Sequence, residues 1–139
     1  MKKTIKAILI DAENRQIKEV ELQSTEGYGF NESIYKELKC DYITSACGDL
    51  FNRLSHALFV DDEGLLKNEP MGAFCIRIGE TGHLYESQVL SGNGIIVGID
   101  EEGECIDHAL DVEIIKDIVK WDEVANLPAP SMTFYPLND

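Results

Sequence analysis

Thr4-Ile5-Lys6-Ala7-Ile8-Leu9-Ile10-Asp11-Ala12-Glu13-Asn14 is an apolar, β-branched run that stops in an acidic turn, and its reading decides the fold. Ile5, Ala7 and Leu9 alternate with Lys6, Ile8 and Ile10, so both faces of the strand are apolar and it belongs in the middle of a sheet. The pattern apolar–Asp–any–Glu–Asn/Gly that closes the run recurs twice, as Val60-Asp61-Asp62-Glu63-Gly64 and Ile99-Asp100-Glu101-Glu102-Gly103. An Asp at the first turn position accepts a backbone N–H, and Asn or Gly enters the left-handed region at least cost. Each copy therefore reads as the turn of an antiparallel hairpin. Much of the acidity is turn punctuation.

Working outward, Ile17, Val20 and Leu22 form the returning strand of the first hairpin. A loop over 24–30 carries Gly27 and Gly29, after which Asn31 is placed to cap a short helix with Ile34, Tyr35 and Leu38 on one stripe and Cys40 at its close. Residues 41–46 read as a strand, Cys47-Gly48-Asp49 as a break, and 50–54 as a turn or irregular segment. Ala57-Leu58-Phe59-Val60 runs into the second acidic turn, with Leu65 and Leu66 as its return strand. Residues 73–78 form a buried strand ending at Gly79, 80–93 a long loop, and 94–99 the strongest core strand. Asp111 caps a second helix bearing Leu110, Ile114, Ile115, Ile118 and Val119, with Trp121 packed beside it. These elements predict an α+β fold: a mostly antiparallel sheet of about five to seven strands built from hairpins, with two short helices. One domain covers 1–125. Pro128, Pro130 and Pro136 keep the tail 126–139 irregular, and its Leu127, Met132, Phe134, Tyr135 and Leu137 need cover from the chain's own core or from a second subunit in a homo-oligomer.

A chain of 139 residues with 44 % hydrophobic content suits one core, which at this length hides roughly 68 % of the unfolded surface. The longest apolar run, 94–99, falls well short of the roughly 20 residues of a membrane helix. Met1-Lys2-Lys3 is not followed by the apolar core of a signal peptide, so a cytoplasmic protein is expected, with no membrane partner. Twelve Lys and Arg against 26 Asp and Glu leave a net charge of −14, which opposes direct nucleic-acid binding. The charge fits either plain solubility or a surface that imitates the phosphates of DNA to occupy a DNA-binding protein. Cys40, Cys47, Cys75 and Cys105 contain no CxxC pair and read as reduced structural thiols. With His56 and His108, the thiols of Cys40, Cys47 and Cys105 match no structural zinc spacing, and no cofactor is expected.

Asp61, Asp62 and Glu63 could hold a hard cation with Asp100, Glu101, Glu102 and Glu104 if the two turns converged, though neither has an EF-hand spacing. Gly92-Asn93-Gly94 followed by Gly98 approaches GxGxxG with one residue too many, and leads into a strand where a dinucleotide fingerprint leads into a helix. Walker, GxSxG and HExxH patterns are missing from the sequence. His56, His83 and His108 are the histidines available for proton transfer near neutral pH. The ligand contacts this reading selects are His83 and Tyr85 in the long loop, Asn93 at its end, and Asp61, Asp62 and Glu63 in the second turn. A catalytic alternative draws Cys47 as nucleophile and His56 as base, or uses the acidic turns, in a small hydrolase-type enzyme.

Four segments together resemble a family of small uncharacterised proteins: Lys3 to Glu19, Ile34 to Asp41, Leu58-Phe59-Val60-Asp61-Asp62-Glu63-Gly64-Leu65-Leu66-Lys67, and Gly92-Asn93-Gly94-Ile95-Ile96-Val97-Gly98. Members of that family of unknown function come from bacteriophages, mobile elements and their bacterial hosts. The resemblance implies a genomic setting and no catalytic residue. The expected function is a non-catalytic accessory protein that binds a host protein or a small metabolite, with counter-defence as one setting. The DNA mimic and the small enzyme are the alternatives.

Overall fold

Apolar residues on both faces of one strand require a layer on each side of it, and the structure supplies both. The structure is a computed structural model and describes residues 3–25, 29–62, 72–79 and 85–123. Its strands are β1 (Thr4–Asp11), β2 (Gln16–Gln23), β3 (Ile43–Ala46), β4 (His56–Asp61), β5 (Ala73–Ile78), β6 (Tyr85–Glu86), β7 (Leu90–Ser91), β8 (Gly94–Ile99), β9 (Cys105–Ile106) and β10 (Val119–Asp122). The helices are α1 (Asn31–Leu38), α2 (Gly48–Phe51) and α3 (Val112–Ile118), with a 3₁₀ turn at Asn52–Leu54. The larger sheet has the order β2-β1-β8-β4-β3, with β9 continuing along β8, and the smaller has β10-β5-β6 with β7 also on β5. Every pairing is antiparallel. The α+β class and antiparallel hairpin architecture read from the turns therefore hold. The described residues hold ten strands in two sheets and three short helices where one sheet of about five to seven strands and two helices was expected; several strands are only two residues long and carry no periodicity of their own.

Ile8, Ile10, Leu58, Val60 and Ile96 on one face of the larger sheet pack against Phe74, Ile76 and Val119 of the smaller sheet, with Phe51 and Ile115 from the short helices. On the opposite face Ile5, Ala7, Leu9, Leu22, Ile95 and Val97 pack against Phe30, Ile34 and Leu38 of the α1 region. The order of layers is thus α1, larger sheet, smaller sheet with α3. β1 and β8 lie between the two cores, which is why each is apolar on both faces.

Two acidic turns close hairpins as their chemistry requires. Asp11 Oδ1 accepts from the Asn14 N–H at 3.1 Å, and Asp100 Oδ1 accepts from the N–H groups of Glu102 and Glu104, both at 2.9 Å. Gly103 takes the left-handed conformation in the third turn, with φ 82°, but in the first turn it is Arg15, with φ 53°, and not Asn14. Asn14 instead gives its side-chain amide to Asp11 Oδ2. The second turn departs from the expectation. β4 is already laddered to β3 on one side and β8 on the other over Leu58–Val60, so no third strand can pair there; Glu63 to Lys67 lie outside the described residues.

Phe30, not Asn31, stands at the α1 N-cap, and Asn31 is the first helical residue. Asp111 does cap α3, accepting from the Glu113 N–H at 2.8 Å. That helix ends at Ile118, because Val119 turns extended and enters β10 alongside β5; Trp121 lies on that strand opposite Phe74. Ile114, placed on the apolar stripe by its spacing, is 58 % exposed. The tail 126–139 lies outside the described residues. Among the described residues no helix is long and apolar enough to cross a membrane.

Candidate functional site

β6 and β7 ladder onto the same edge of β5, but their registers do not match: Arg77 faces Glu86 and Ile78 faces Tyr85, whereas Phe74 faces Leu90 and Ala73 faces Ser91. The mismatch is a bulge. Ser87 repairs the ladder there, its N–H donating to the Ile76 carbonyl and its hydroxyl accepting from the Ile76 N–H, both at 2.9 Å. The bulged segment 87–91 borders a cavity of about 520 Å³ whose opposite wall is Thr44, Ser45 and Ala46 of β3 and Val60, Asp61 and Asp62 at the end of β4. Cys47, Asp49 and Tyr85 complete the lining. A bulge beside a sheet edge is a common way to re-aim side chains into a site.

Cys47 has a left-handed backbone, φ 53°, and its carbonyl accepts from the N–H groups of Leu50 and Phe51 at the start of α2. That kink brings Cys47 and Asp49 to the same wall. The Tyr85 hydroxyl donates to Asp49 Oδ1 at 3.1 Å. Cys47 meets the side chains of Tyr85 and Ser87 in hydrogen bonds. Burial pushes the Cys47 thiol above its ordinary value, against the two hydrogen bonds, which favour the thiolate; the Asp49 carboxylate adds to the rise. Burial also raises the Tyr85 phenol, with Cys47 and Asp49 contributing in the same direction. At neutral pH the cavity holds a thiol and a phenol, not a thiolate nucleophile.

The same cause acts on Cys75 and Cys105, whose thiols are raised first of all by burial. The folded chain thus keeps protons that the unfolded chain releases above the ordinary thiol value of 9.0. Stability from these groups is fully present below that pH and declines as pH climbs through the raised folded values. Urea midpoints measured in an alkaline series should fall above pH 9.0, and Cys47→Ala with Cys105→Ala should flatten that fall.

Of the ligand contacts chosen from sequence, Tyr85, Asp61 and Asp62 line this one cavity. His83 and Glu63 lie outside the described residues. Asn93 does not line the cavity. It is 4 % exposed, and its Oδ1 accepts from the buried Ala12 N–H at 3.0 Å, tying the turn before β8 to the end of β1. Asn93→Ala should lower unfolding stability by about 1–3 kcal/mol, because the Ala12 N–H loses its acceptor. Denaturant titration reads the loss, and unchanged ligand binding at saturating folded fraction would separate it from a binding role.

The remaining candidates have separate fates. His56 is buried, with Nδ1 2.6 Å from the Leu54 carbonyl and Nε2 accepting from the Ala109 N–H at 2.9 Å, so both ring nitrogens are occupied by backbone and the ring carries its proton on Nδ1. His108 faces Glu19, Nε2 to Oε2 at 2.6 Å. Asp100, Glu102 and Glu104 line a different cleft, with Lys3 and Asp107, so the second and third acidic turns do not converge. Among the described residues no three His, Cys, Asp or Glu side chains gather at metal-binding distance. What sequence reading missed is Asp49, Ser87 and the β3 wall, since the bulge that assembles them has no sequence spacing to mark it.

Fold and site define a class: a two-sheet antiparallel α+β domain with a polar, acidic cavity where one edge of the larger sheet meets the bulged strand of the smaller. The chain belongs to the family described as domain of unknown function DUF3846, whose profile matches residues 5–120. No curated protein and no solved structure matches it.

Proposed function

We propose that this chain is a non-catalytic accessory protein of phage or mobile-element type that holds a small metabolite or a host protein by a cationic group seated in the 520 Å³ cavity. One observation carries the reading: the lining includes Asp49, Asp61 and Asp62, with Asp62 on the same face of the β3–β4 ladder as Val60, and no Lys, Arg or His among the described residues. An amine or guanidinium entering there gains charge-assisted hydrogen bonds of about 1.5–3 kcal/mol each, and the hydroxyls of Thr44 and Tyr85 offer further acceptors. A phosphate or carboxylate ligand would meet repulsion from these acidic residues. The non-catalytic part rests on the protonated Cys47 thiol and the fully occupied His56 ring. The phage or mobile-element setting rests on the sequence resemblance, and a cytoplasmic location on cysteines that fit a reducing compartment.

Thermal unfolding with spermidine, arginine amide, phosphate and AMP tests the reading. The two cations should raise the midpoint, and Asp49→Asn or Asp62→Asn should weaken their binding about tenfold. Stabilisation by the anions alone would overturn it. Native mass spectrometry of gently purified protein adds a direct check, since a retained basic compound should appear as excess mass over 15.5 kDa.

A further inference from the structure

The cavity lies against β3, a border strand of the larger sheet that carries no charged residue. β2, at the other border, is Gln16-Ile17-Lys18-Glu19-Val20-Glu21-Leu22-Gln23, whose alternating charges discourage another strand from pairing. β3 is Ile43-Thr44-Ser45-Ala46, uncharged and half-exposed, and pairs with β4 alone among the described residues. Which of its backbone groups face outward follows from one bond. The Asp62 N–H donates to the Tyr42 carbonyl at 2.9 Å, so Tyr42 and Asp62 form a hydrogen-bonded pair one step before the ladder. Such pairs alternate along an antiparallel ladder, so Thr44 and Ala46 bond to Val60 and Leu58, while Ile43 and Ser45 turn their N–H and C=O groups away from β4. The β4–β8 ladder agrees: the Ile99 N–H donates to the Ser55 carbonyl, which directs Ala57 and Phe59 toward β8 and Leu58 and Val60 toward β3.

We infer that this border receives an extended, basic peptide segment of a partner protein, which adds to β3 as a further strand and places a Lys or Arg side chain in the neighbouring cavity. Successive side chains of a strand alternate between faces. Thr44 and Ala46 share the face of Val60 and Leu58, which is the face turned toward the smaller sheet and the cavity. A peptide residue opposite Thr44 points the same way, toward Asp49 and Asp62. The backbone groups of Ile43 and Ser45 supply main-chain hydrogen bonds, and the carboxylates select a cation at alternate positions. A flanking Tyr42, 60 % exposed, offers its ring to an apolar neighbour on the same strand. This inference rests on the cationic reading of the cavity and narrows it from any cation to one carried on an extended backbone.

The test titrates the isotope-labelled full chain with a blocked peptide of alternating valine and lysine, the same peptide N-methylated at alternate amides, and spermidine. The expected result is that the unmodified peptide shifts the Ile43 and Ser45 amides and slows their hydrogen exchange, while N-methylation weakens binding about tenfold by removing the main-chain bonds. Spermidine should shift the Asp49 and Asp62 surroundings without protecting those amides. Ser45→Pro removes one outward N–H on a border strand, where proline is tolerated, and should abolish peptide protection with spermidine binding intact. If spermidine and both peptides bind alike and Ile43 and Ser45 stay unprotected, strand addition is overturned and the cationic cavity stands. If the peptide protects Ile43 and Ser45 but Asp49→Asn and Asp62→Asn leave its affinity unchanged, the cationic reading falls, and the charge selection inferred here falls with it. If no cation binds, both are overturned.

Discussion

Phe74→Ala should lower unfolding stability by about 3–5 kcal/mol, as expected for emptying a fully enclosed aromatic site. Phe74 is 0 % exposed and belongs to β5, yet the space it fills is set by the larger sheet. A methyl group placed on Gly94 would lie 3.0 Å from Phe74 Cζ, 2.9 Å from Leu58 Cδ1 and 3.6 Å from Ile10 Cδ1. Gly94 is therefore the floor on which the ring rests, and the ring fastens the two sheets together. Removing it leaves a void that Gly94, with no side chain, cannot fill. Because Phe74 is paired with Leu90, the bulged segment bordering the cavity should loosen as well. Urea denaturation measures the loss, and hydrogen exchange at residues 87–91 reports the loosening. The pair has a diagnostic interaction: Gly94→Ala, which is overpacked in the native chain, should cost less stability in the Phe74→Ala background than alone. Additive effects would show that the ring does not rest on Gly94.

Gly98→Ala should cost about 3 kcal/mol for a different reason. The added methyl would stand 2.4 Å from the Asp107 carbonyl oxygen, so chain or loop must move. The loop is not free to recede. Asp107 Oδ1 accepts from the Lys6 N–H at 2.8 Å, the His108 N–H donates to the Lys6 carbonyl at 2.9 Å, and the Ala109 N–H donates to His56 Nε2 at 2.9 Å. These bonds carry the chain from β9 across the end of β1 toward α3. Displacing the segment breaks or lengthens all three, and leaves the buried His56 ring without its donor. The Lys6 and Ala109 amides should lose exchange protection together in Gly98→Ala, whereas a cavity-forming change such as Phe74→Ala should leave them protected in the folded state. Retained protection with full stability would mean that the 107–109 segment yields at little cost.

Neither Phe74 nor Gly98 lines the proposed site, so amine binding measured on the folded fraction should persist in Gly98→Ala and weaken in Phe74→Ala only as far as the 87–91 wall shifts.

The central strands and two of the hairpins were legible from residue order. Ile5, Ala7 and Leu9 against Ile8 and Ile10 demanded a core on each side of β1, and Asp11 and Asp100 carried their own turn bonds, because such information is local and repeats with the period of a strand. The sequence alone determined the antiparallel α+β class and the net charge of −14, and it placed Tyr85, Asp61 and Asp62 among the candidate contacts. Tertiary structure alone decided that those three share a cavity with Cys47 and Asp49, that Asn93 serves the Ala12 N–H, and that β4 is enclosed between β3 and β8. Two-residue strands such as β6 and β7 show no periodicity, and a one-residue bulge alters which face a side chain takes without altering any residue that could announce it. A site assembled across such a bulge depends on contacts between segments some forty residues apart, and no local rule fixes the register in which they meet.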